Sequence, residues 1–78
     1  MHCYIATVNG ATHTDGWYGC LAWAIDEIRD NPTLVVKIHV ARHGVKTVRI
    51  VAEVVADGVR FIRGGRHVSL RAVRGQNG

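Results

Sequence analysis

Residues 34–56, LVVKIHVARHGVKTVRIVAEVVA, decide the fold class because apolar side chains recur there at every second position. The first half of the stretch places four of them on one face: Leu34, Val36, Ile38 and Val40. The second half repeats the pattern with Val48, Ile50, Ala52 and Val54. A period of two is typical of a strand with one buried face. We therefore predict two neighbouring antiparallel strands of one sheet.

The connection between these two strands sets their register. A two-residue loop would bring Ile38 against Arg49 and mix the apolar and polar faces. A three-residue loop at residues 43–45 brings Ile38 opposite Ile50 instead. Because a slip of one residue turns every side chain to the other face, we predict the three-residue loop, accompanied by a β-bulge.

Upstream, residues 16–30 have a helical period. Their apolar stripe consists of Trp17, Leu21, Ala24 and Ile28. Acidic residues fall on the opposite side: Asp26, Glu27 and Asp30. Proline disfavours helical geometry in the residue before it, so the helix is predicted to end at Asn31-Pro32.

The chain before the helix is predicted to contain one strand. Residues 2–8, HCYIATV, are rich in β-branched and aromatic types. Residues 9–15 open on an Asn-Gly turn signal and are predicted as a loop that caps the helix with Thr14 or Asp15. The pairing of the first strand is left open between a parallel neighbour reached through the helical crossover and a place at the sheet edge.

Two further turn signals divide the rest of the chain. An Asp-Gly pair at residues 57–58 and a Gly-Gly pair at residues 64–65 are typical of two-residue hairpins. They would place Val54 opposite Phe61 and Phe61 opposite Val68, so that apolar side chains meet. The strands that they delimit are residues 59–63 and 66–73.

The predicted fold is α+β, with element order β-α-β-β-β-β. A single helix packs on one face of a mainly antiparallel sheet of four to five strands. Residues 1–73 form this single domain, and residues 74–78 form a flexible C-terminal tail. In the predicted core, Trp17, Leu21 and Ile28 pack on the sheet. Their sheet partners are Ile38, Val48, Ile50, Val54, Phe61, Val68 and Leu70.

Charge is divided unevenly along the chain. Residues 1–33 hold four acids and one base, a local charge of −3, whereas residues 34–78 hold nine bases and two acids, a local charge of +7. This predicts a positive sheet and a more negative helix. The net charge of +4 favours an acidic partner. Solubility alone is the alternative explanation, because small domains often carry such a charge.

The sheet face that the helix leaves uncovered, the open face, is the predicted contact surface. Cations there are Lys37, His39, Arg49, Arg60, His67 and Arg71, with Glu53 as the only acid, and they alternate with Val35, Val51, Val55, Ile62 and Val73. The predicted partner-binding residues are Lys37, Arg49, Arg60, Arg63, Arg66, Arg71, Val51, Val55 and Ile62. An exposed apolar patch rimmed by charge usually marks an interface. The alternative is that the aliphatic residues reflect β-propensity alone.

The sequence therefore predicts a small non-catalytic protein that docks this face on an acidic protein or a nucleoprotein complex, as an inhibitor or adaptor. Inhibitors of bacterial defence complexes, including anti-CRISPR proteins, fall in this size class, which is an analogy of size and architecture only. Direct binding to the phosphate backbone of DNA or RNA is the main alternative. A homodimer formed through the open face is another.

Catalytic and metal chemistry have weak support in the sequence. His39 or His67, with Arg60 or Arg71 nearby, could serve a small ribonuclease, and two surface histidines are the simpler explanation. No cofactor or metal is expected, and the two cysteines are expected to be buried thiols that are bridged only in an exported protein. With no signal peptide and no apolar run long enough for a bilayer, the expected location is the cytoplasm, away from membranes.

Overall fold

The computed structural model describes residues 2–42 and 48–69, which form one helix and a six-stranded sheet. The strands are β1 (His2–Val8), β2 (Ala11–Asp15), β3 (Val36–Arg42), β4 (Arg49–Val55), β5 (Gly58–Phe61) and β6 (His67–Ser69). The helix, α1, is Trp17–Asp30. The sheet order is β2-β1-β3-β4-β5-β6, with every neighbouring pair antiparallel. The predicted α+β class is confirmed, with more strands than expected.

Strand β2 corrects the prediction of a loop at residues 9–15. Asn9 and Gly10 both have positive φ, 47° and 83°, as a two-residue hairpin turn requires when it joins twisted strands. The turn pairs Val8 with Ala11 and carries the chain back along β1. The strand was missed because it lies at the sheet edge and is polar, so it lacks an alternating apolar face.

The N-terminal hairpin also determines where β1 lies. Strand β1 occupies an interior position, antiparallel to both β2 and β3. Both predicted alternatives for it are therefore wrong. The helical crossover instead joins β2 to β3, which run in the same direction with β1 between them. The Asn9-Gly10 turn reverses the chain once more than predicted, and this extra reversal places β1 between β2 and β3.

Helix α1 matches its predicted range within one residue at the N-terminus, but its cap differs. Gly16 is the N-cap and no side chain caps the first turn, so the predicted cap at Thr14 or Asp15 is wrong. Both residues end β2. At the other end, Asn31 donates its backbone N–H to Glu27 O at 3.0 Å, and Pro32 follows. Within the described residues, no helix is long and apolar enough to cross a membrane.

The core lies between α1 and the central strands. Its buried residues are Ala6, Val8, Cys20, Leu21, Ala24, Ile28, Val36, Ile38, Ala52, Val54 and Val59. Of the predicted core residues, Leu21, Ile28, Ile38 and Val54 are confirmed as buried, and Trp17, Phe61 and Val68 pack partly buried against them. Val48 is 48% exposed and is a wrong prediction. Leu70 lies outside the described residues.

A bulge in β4 accounts for the error at Val48. Ile38 pairs with Ala52, whereas the next residue of β3, His39, pairs with Ile50, so Val51 is an extra residue. The bulge turns Ile50 to the open face, opposite His39, so the predicted Ile38–Ile50 pair is wrong. The extra residue, Val51, is half-buried and packs against the core. The loop predicted at residues 43–45 lies outside the described residues.

The last two hairpins keep the predicted faces but shift the predicted register by two residues. Val54 pairs with Val59, and Val59 pairs with Val68. The first turn therefore uses residues 56–57, and Gly58 belongs to β5. A Cβ at Gly58 would collide with the backbone carbonyl of Val68, so this strand position requires glycine. A short 3-10 turn at Arg63–Gly65 connects β5 to β6. The predicted extension of the last strand through residues 70–73 lies outside the described residues.

Candidate functional site

Four arginines lie at one end of the sheet, which we name the arginine end. Arg42 is the last residue of β3 and Arg49 is the first residue of β4, so antiparallel pairing places both at this end. The connection from β5 to β6 turns there and carries Arg63 and Arg66. Three strand ends thus gather charges that are far apart in the sequence.

Acidic residues concentrate at the opposite end. Asp57 lies in the turn between β4 and β5. The last two turns of α1 contribute Asp26, Glu27 and Asp30, with Arg29 among them. Because α1 starts at the arginine end, its positive dipole end adds to the arginines. Charge is therefore also polarised along the strands, in addition to the predicted contrast between a positive sheet and a more negative helix.

On the helix side, the arginine end contains a groove of about 460 Å³. Its lining residues are Tyr4, Trp17, Val40, Arg42, Arg49, Val51 and Phe61. They come from β1, α1, β3, β4 and β5. The volume falls within the range of about 300–1,000 Å³ that is usual for ligand sites.

Three aromatic rings form one wall of the groove. Trp17 is the first residue of α1 and lies between the other two rings. The Tyr4 ring meets it edge-on, with ring centroids 5.5 Å apart and an interplanar angle of 66°. The Phe61 ring stacks on its other side at 5.7 Å and 29°. All three side chains are only half-buried, so part of this wall remains open to solvent.

The β4 bulge places Arg49 in this groove. Because Val51 is the extra residue, Arg49 pairs with Val40 on the helix side rather than pointing to the open face. The register thus turns Arg49 from its predicted open-face position toward the helix side. Arg49 and Val51 also border a shallow depression with Ile50, Ile62 and Arg63. Arg42, which lines the groove together with Arg49, was absent from the predicted set.

A second depression lies beside the groove and shares Trp17 and Phe61 with it. Its volume is about 230 Å³, and the other lining residues are Tyr18, Leu21, Val59, Arg66 and Val68. Tyr18 is 67% exposed, so most of its ring is open to solvent. The Trp17–Phe61 pair thus forms a ridge between the two depressions. Arg42 and Arg49 lie on the groove side of this ridge, and Arg66 lies on the other side.

The arginines of this end are available to an external anion. In residues 2–42 and 48–69 the ion pairs join His13 to Asp15, Arg29 to Asp26 and Arg60 to Glu53, and none involves the four arginines of this end. One acid, Asp15, also lies at this end, as the last residue of β2 and the partner of Tyr4. Its carboxylate accepts the Gly16 N–H at 2.7 Å and lies 3.2 Å from His13 Nε2. The Gly16 N–H first, and then His13, hold the pKa of Asp15 below its ordinary value.

The open face is less basic than predicted. Lys37 lies opposite Glu53, Glu53 opposite Arg60, and Arg60 opposite His67, so one acid sits between two bases. Of the other predicted binding residues, Val55 is half-buried and Ile62 is 45% exposed. Val35, a further aliphatic residue of the predicted open face, is also 45% exposed. Arg71 and Val73 lie outside the described residues.

The histidines suggested for a ribonuclease are not brought together. His39 is on β3 and His67 on β6, three strand positions apart in the sheet. At the usual strand spacing this separation is about 14 Å, too far for both to act on one substrate hydroxyl. In the part of the chain that the structure describes, the suggested combination of a single histidine with an arginine is matched in register only by His67, which lies opposite Arg60. Among the described residues, no group of three His, Cys, Asp or Glu side chains could hold a metal ion.

Both cysteines are free thiols, and their surroundings differ. Cys20 is buried and donates its thiol hydrogen to His13 O, with Sγ 3.6 Å from the oxygen. Burial raises the pKa of the Cys20 thiol. Cys3 is half-buried, which corrects the expectation that both are buried.

No local sequence motif indicates the groove, because its lining residues come from five separate elements. The one indication is the pair of arginines at matching strand ends, Arg42 at the end of β3 and Arg49 at the start of β4. No known protein family, curated protein or solved structure matches the chain. Its function is therefore inferred from the geometry and charge of the arginine end.

Proposed function

We propose that this is a small non-catalytic binding protein that docks its arginine end on an anionic macromolecular partner. The observation that carries the proposal is the convergence of Arg42, Arg49, Arg63 and Arg66 at one end of the sheet, free of ion pairs within the described residues. Guanidinium groups bind phosphate and carboxylate groups bidentately, which suits either an acidic protein or a nucleic acid.

The distribution of charge supports a preferred orientation of binding. With arginines at one end and Asp30 and Asp57 at the other, a negatively charged partner attracts the first end and repels the second. Such a protein would meet its partner end-on, with the strands pointing toward the contact. An inhibitor or adaptor role in the cytoplasm is consistent with this mode and belongs to the proposal.

The arginine end replaces the open face as the proposed contact surface. On the open face, Glu53 partly neutralises Lys37 and Arg60. Of the predicted binding residues, Arg49, Arg63, Arg66 and Val51 belong to the arginine end, and Lys37, Arg60 and Val55 do not. Docking through the open face is the competing hypothesis, and the experiment must distinguish it from docking through the arginine end.

The experiment compares two double variants that remove the same net charge from different places. Arg42→Gln with Arg49→Gln changes the arginine end. Arg29→Gln with Lys37→Gln changes the acidic end and the open face. Each protein is bound to immobilised heparin, a polyanion without bases, and eluted with salt.

The first double variant is expected to elute at clearly lower salt than the second. Because heparin binding depends on local anion contacts as well as net charge, this difference reports where the contacts lie. Equal elution of the two variants would contradict the proposal, and earlier elution of the second would favour the open face. Circular dichroism of both variants checks that the fold is retained.

A further inference from the structure

We propose that the groove at the arginine end binds an unpaired nucleobase of a single-stranded nucleic acid. The base would lie against the Trp17–Phe61 wall, and the neighbouring phosphates would lie on Arg42 and Arg49. This inference rests on the proposed function, because both use the arginine end, and it identifies the anionic partner.

The composition of the groove argues for a ligand that is both planar and anionic. Tyr4, Trp17 and Phe61 offer half-buried ring surface, and Arg42 and Arg49 line the same space. Its described lining contains no acid. A nucleotide combines a flat, weakly polar base with a phosphate next to it. Stacking on aromatic side chains beside a basic track is the usual way proteins hold single strands.

A double helix fits this arrangement less well. Its bases are stacked inside the duplex, so an aromatic wall recessed between a helix and a sheet would have nothing to stack on. An acidic peptide would satisfy the arginines but leave the rings without a planar partner. The combination of rings and arginines therefore favours a single strand over both.

The second depression extends the proposed site along a bound single-stranded nucleic acid. It shares the Trp17–Phe61 ridge and adds the exposed Tyr18 ring and Arg66. A single strand that crosses the ridge would place one base in each depression. Phosphates would then meet Arg42 and Arg49 on one side and Arg66 on the other.

The two tryptophans of the chain allow a direct test by fluorescence. Trp17 forms the groove wall, whereas Trp23 stacks on His13 with ring centroids 5.6 Å apart and does not line the groove. A Trp23→Phe protein therefore reports on Trp17 alone, and a Trp17→Phe protein reports on Trp23 alone. The probes are oligothymidylate, an abasic oligonucleotide of the same length, and a duplex of matched charge.

Oligothymidylate is expected to quench Trp17 fluorescence in the Trp23→Phe protein and to leave Trp23 fluorescence nearly unchanged in the Trp17→Phe protein. The abasic strand and the duplex are expected to bind more weakly and to leave Trp17 unquenched. If the abasic strand binds as tightly as oligothymidylate and neither quenches Trp17, the inference is wrong. Heparin binding that still depends on Arg42 and Arg49 would then leave the proposed function standing with an acidic protein as the partner.

A substitution series adds a second readout. Trp17→Leu removes the stacking surface and should weaken oligothymidylate binding about 5- to 150-fold, whereas Trp17→Phe keeps a ring and should lose far less. Affinity is measured by anisotropy of a labelled strand, after circular dichroism has confirmed folding. If Trp17→Leu does not fold, the fluorescence result with the Trp23→Phe protein decides alone. Equal affinities of folded Trp17→Leu and Trp17→Phe proteins would overturn the inference.

Discussion

The Arg60 guanidinium lies 3.8 Å from the Glu53 carboxylate, between neighbouring strands on the open face. Lys37 pairs in register with Glu53 on the other neighbouring strand. Glu53 thus has a base on each neighbouring strand, one of them within ion-pair distance. Local neutralisation of this kind reduces the attraction of the open face for anions and leaves the arginine end as the more strongly positive surface.

The coupling between Arg60 and Glu53 should be small and sensitive to salt. The Arg60 side chain is 58% exposed, so solvent screens the pair and the expected coupling energy is about 0.2–1 kcal/mol. A double-mutant cycle with Arg60→Gln and Glu53→Gln, measured by urea unfolding at low and high salt, gives this value. A coupling that salt does not reduce would contradict the exposed geometry.

The bulge in β4 predicts that two valines of the same region differ greatly in importance. Val54 is fully buried and Val48 is 48% exposed. Val54→Ala should lower the free energy of unfolding by about 2 kcal/mol, from lost apolar burial and an unfilled cavity. Val48→Ala should change it by less than about 0.5 kcal/mol. Urea unfolding of both variants checks this. Similar losses would mean that the regular alternation of the sequence continues through β4.

Gly58 should not tolerate even the smallest side chain. A Cβ there would overlap the backbone carbonyl of Val68 on the neighbouring strand, so Gly58→Ala must displace β6. We expect a loss of about 1–3 kcal/mol in the free energy of unfolding. Gly16→Ser is the matched control, because no atom lies within 4 Å of a Cβ at Gly16.

The control substitution carries its own expected gain. Gly16 is the N-cap of α1, has extended backbone geometry and offers no side-chain oxygen. A serine there can accept a hydrogen bond from the first turn of the helix and should stabilise the protein by a few tenths of a kcal/mol. Thermal unfolding of Gly16→Ser and Gly58→Ala should therefore shift in opposite directions.

The two thiols should differ in their rates of alkylation. Cys20 is buried, and burial raises its pKa, so at pH 8 little of it is the reactive thiolate. Cys3 is half-buried and is the more accessible sulfur. Iodoacetamide labelling followed by peptide mass spectrometry should modify Cys3 first in the folded protein. Equal labelling of both residues under native conditions would show that α1 opens readily from the sheet.

The Asp15 carboxylate should contribute to stability in a pH-dependent manner. The Gly16 N–H, and secondly His13, lower the pKa of Asp15 from its ordinary value of 3.8, so the folded state favours the charged form. The contribution is present above pH 3.8 and is lost as the pH falls through the lowered value in the folded state. Asp15→Asn should therefore be less stable than the parent at neutral pH, and the difference should shrink in acid. Urea unfolding at several pH values tests this.

The helix and the alternation of faces could be predicted because each follows a local pattern. The stripe from Trp17 to Ile28 locates α1, and apolar pairs such as Val54 and Val59 follow from the alternation of the sequence. Strand β2 could not be recognised in this way, because an edge strand can be polar on both faces and leaves no buried stripe. Once β2 was missed, the place of β1 could not be derived.

The groove could not be predicted for a different reason. Its position depends on a register shift at Val51, and a bulge of one residue has no reliable signature in a sequence whose alternation continues past it. The aromatic residues of the wall were assigned separately, Trp17 to the helix and Phe61 to the core. Only the three-dimensional structure places them beside Arg42 and Arg49.

The bulge at Val51 makes the groove tolerant of one change in chain length. Because Ile38 pairs with Ala52 and His39 pairs with Ile50, removal of the Val51 codon would leave Arg49 opposite Val40 in an unbroken ladder. The amino-acid composition would change by one valine, and the net charge would not change. In descendants of this protein, loss of this residue would therefore remove the irregularity of β4 and keep the ligand contact in place.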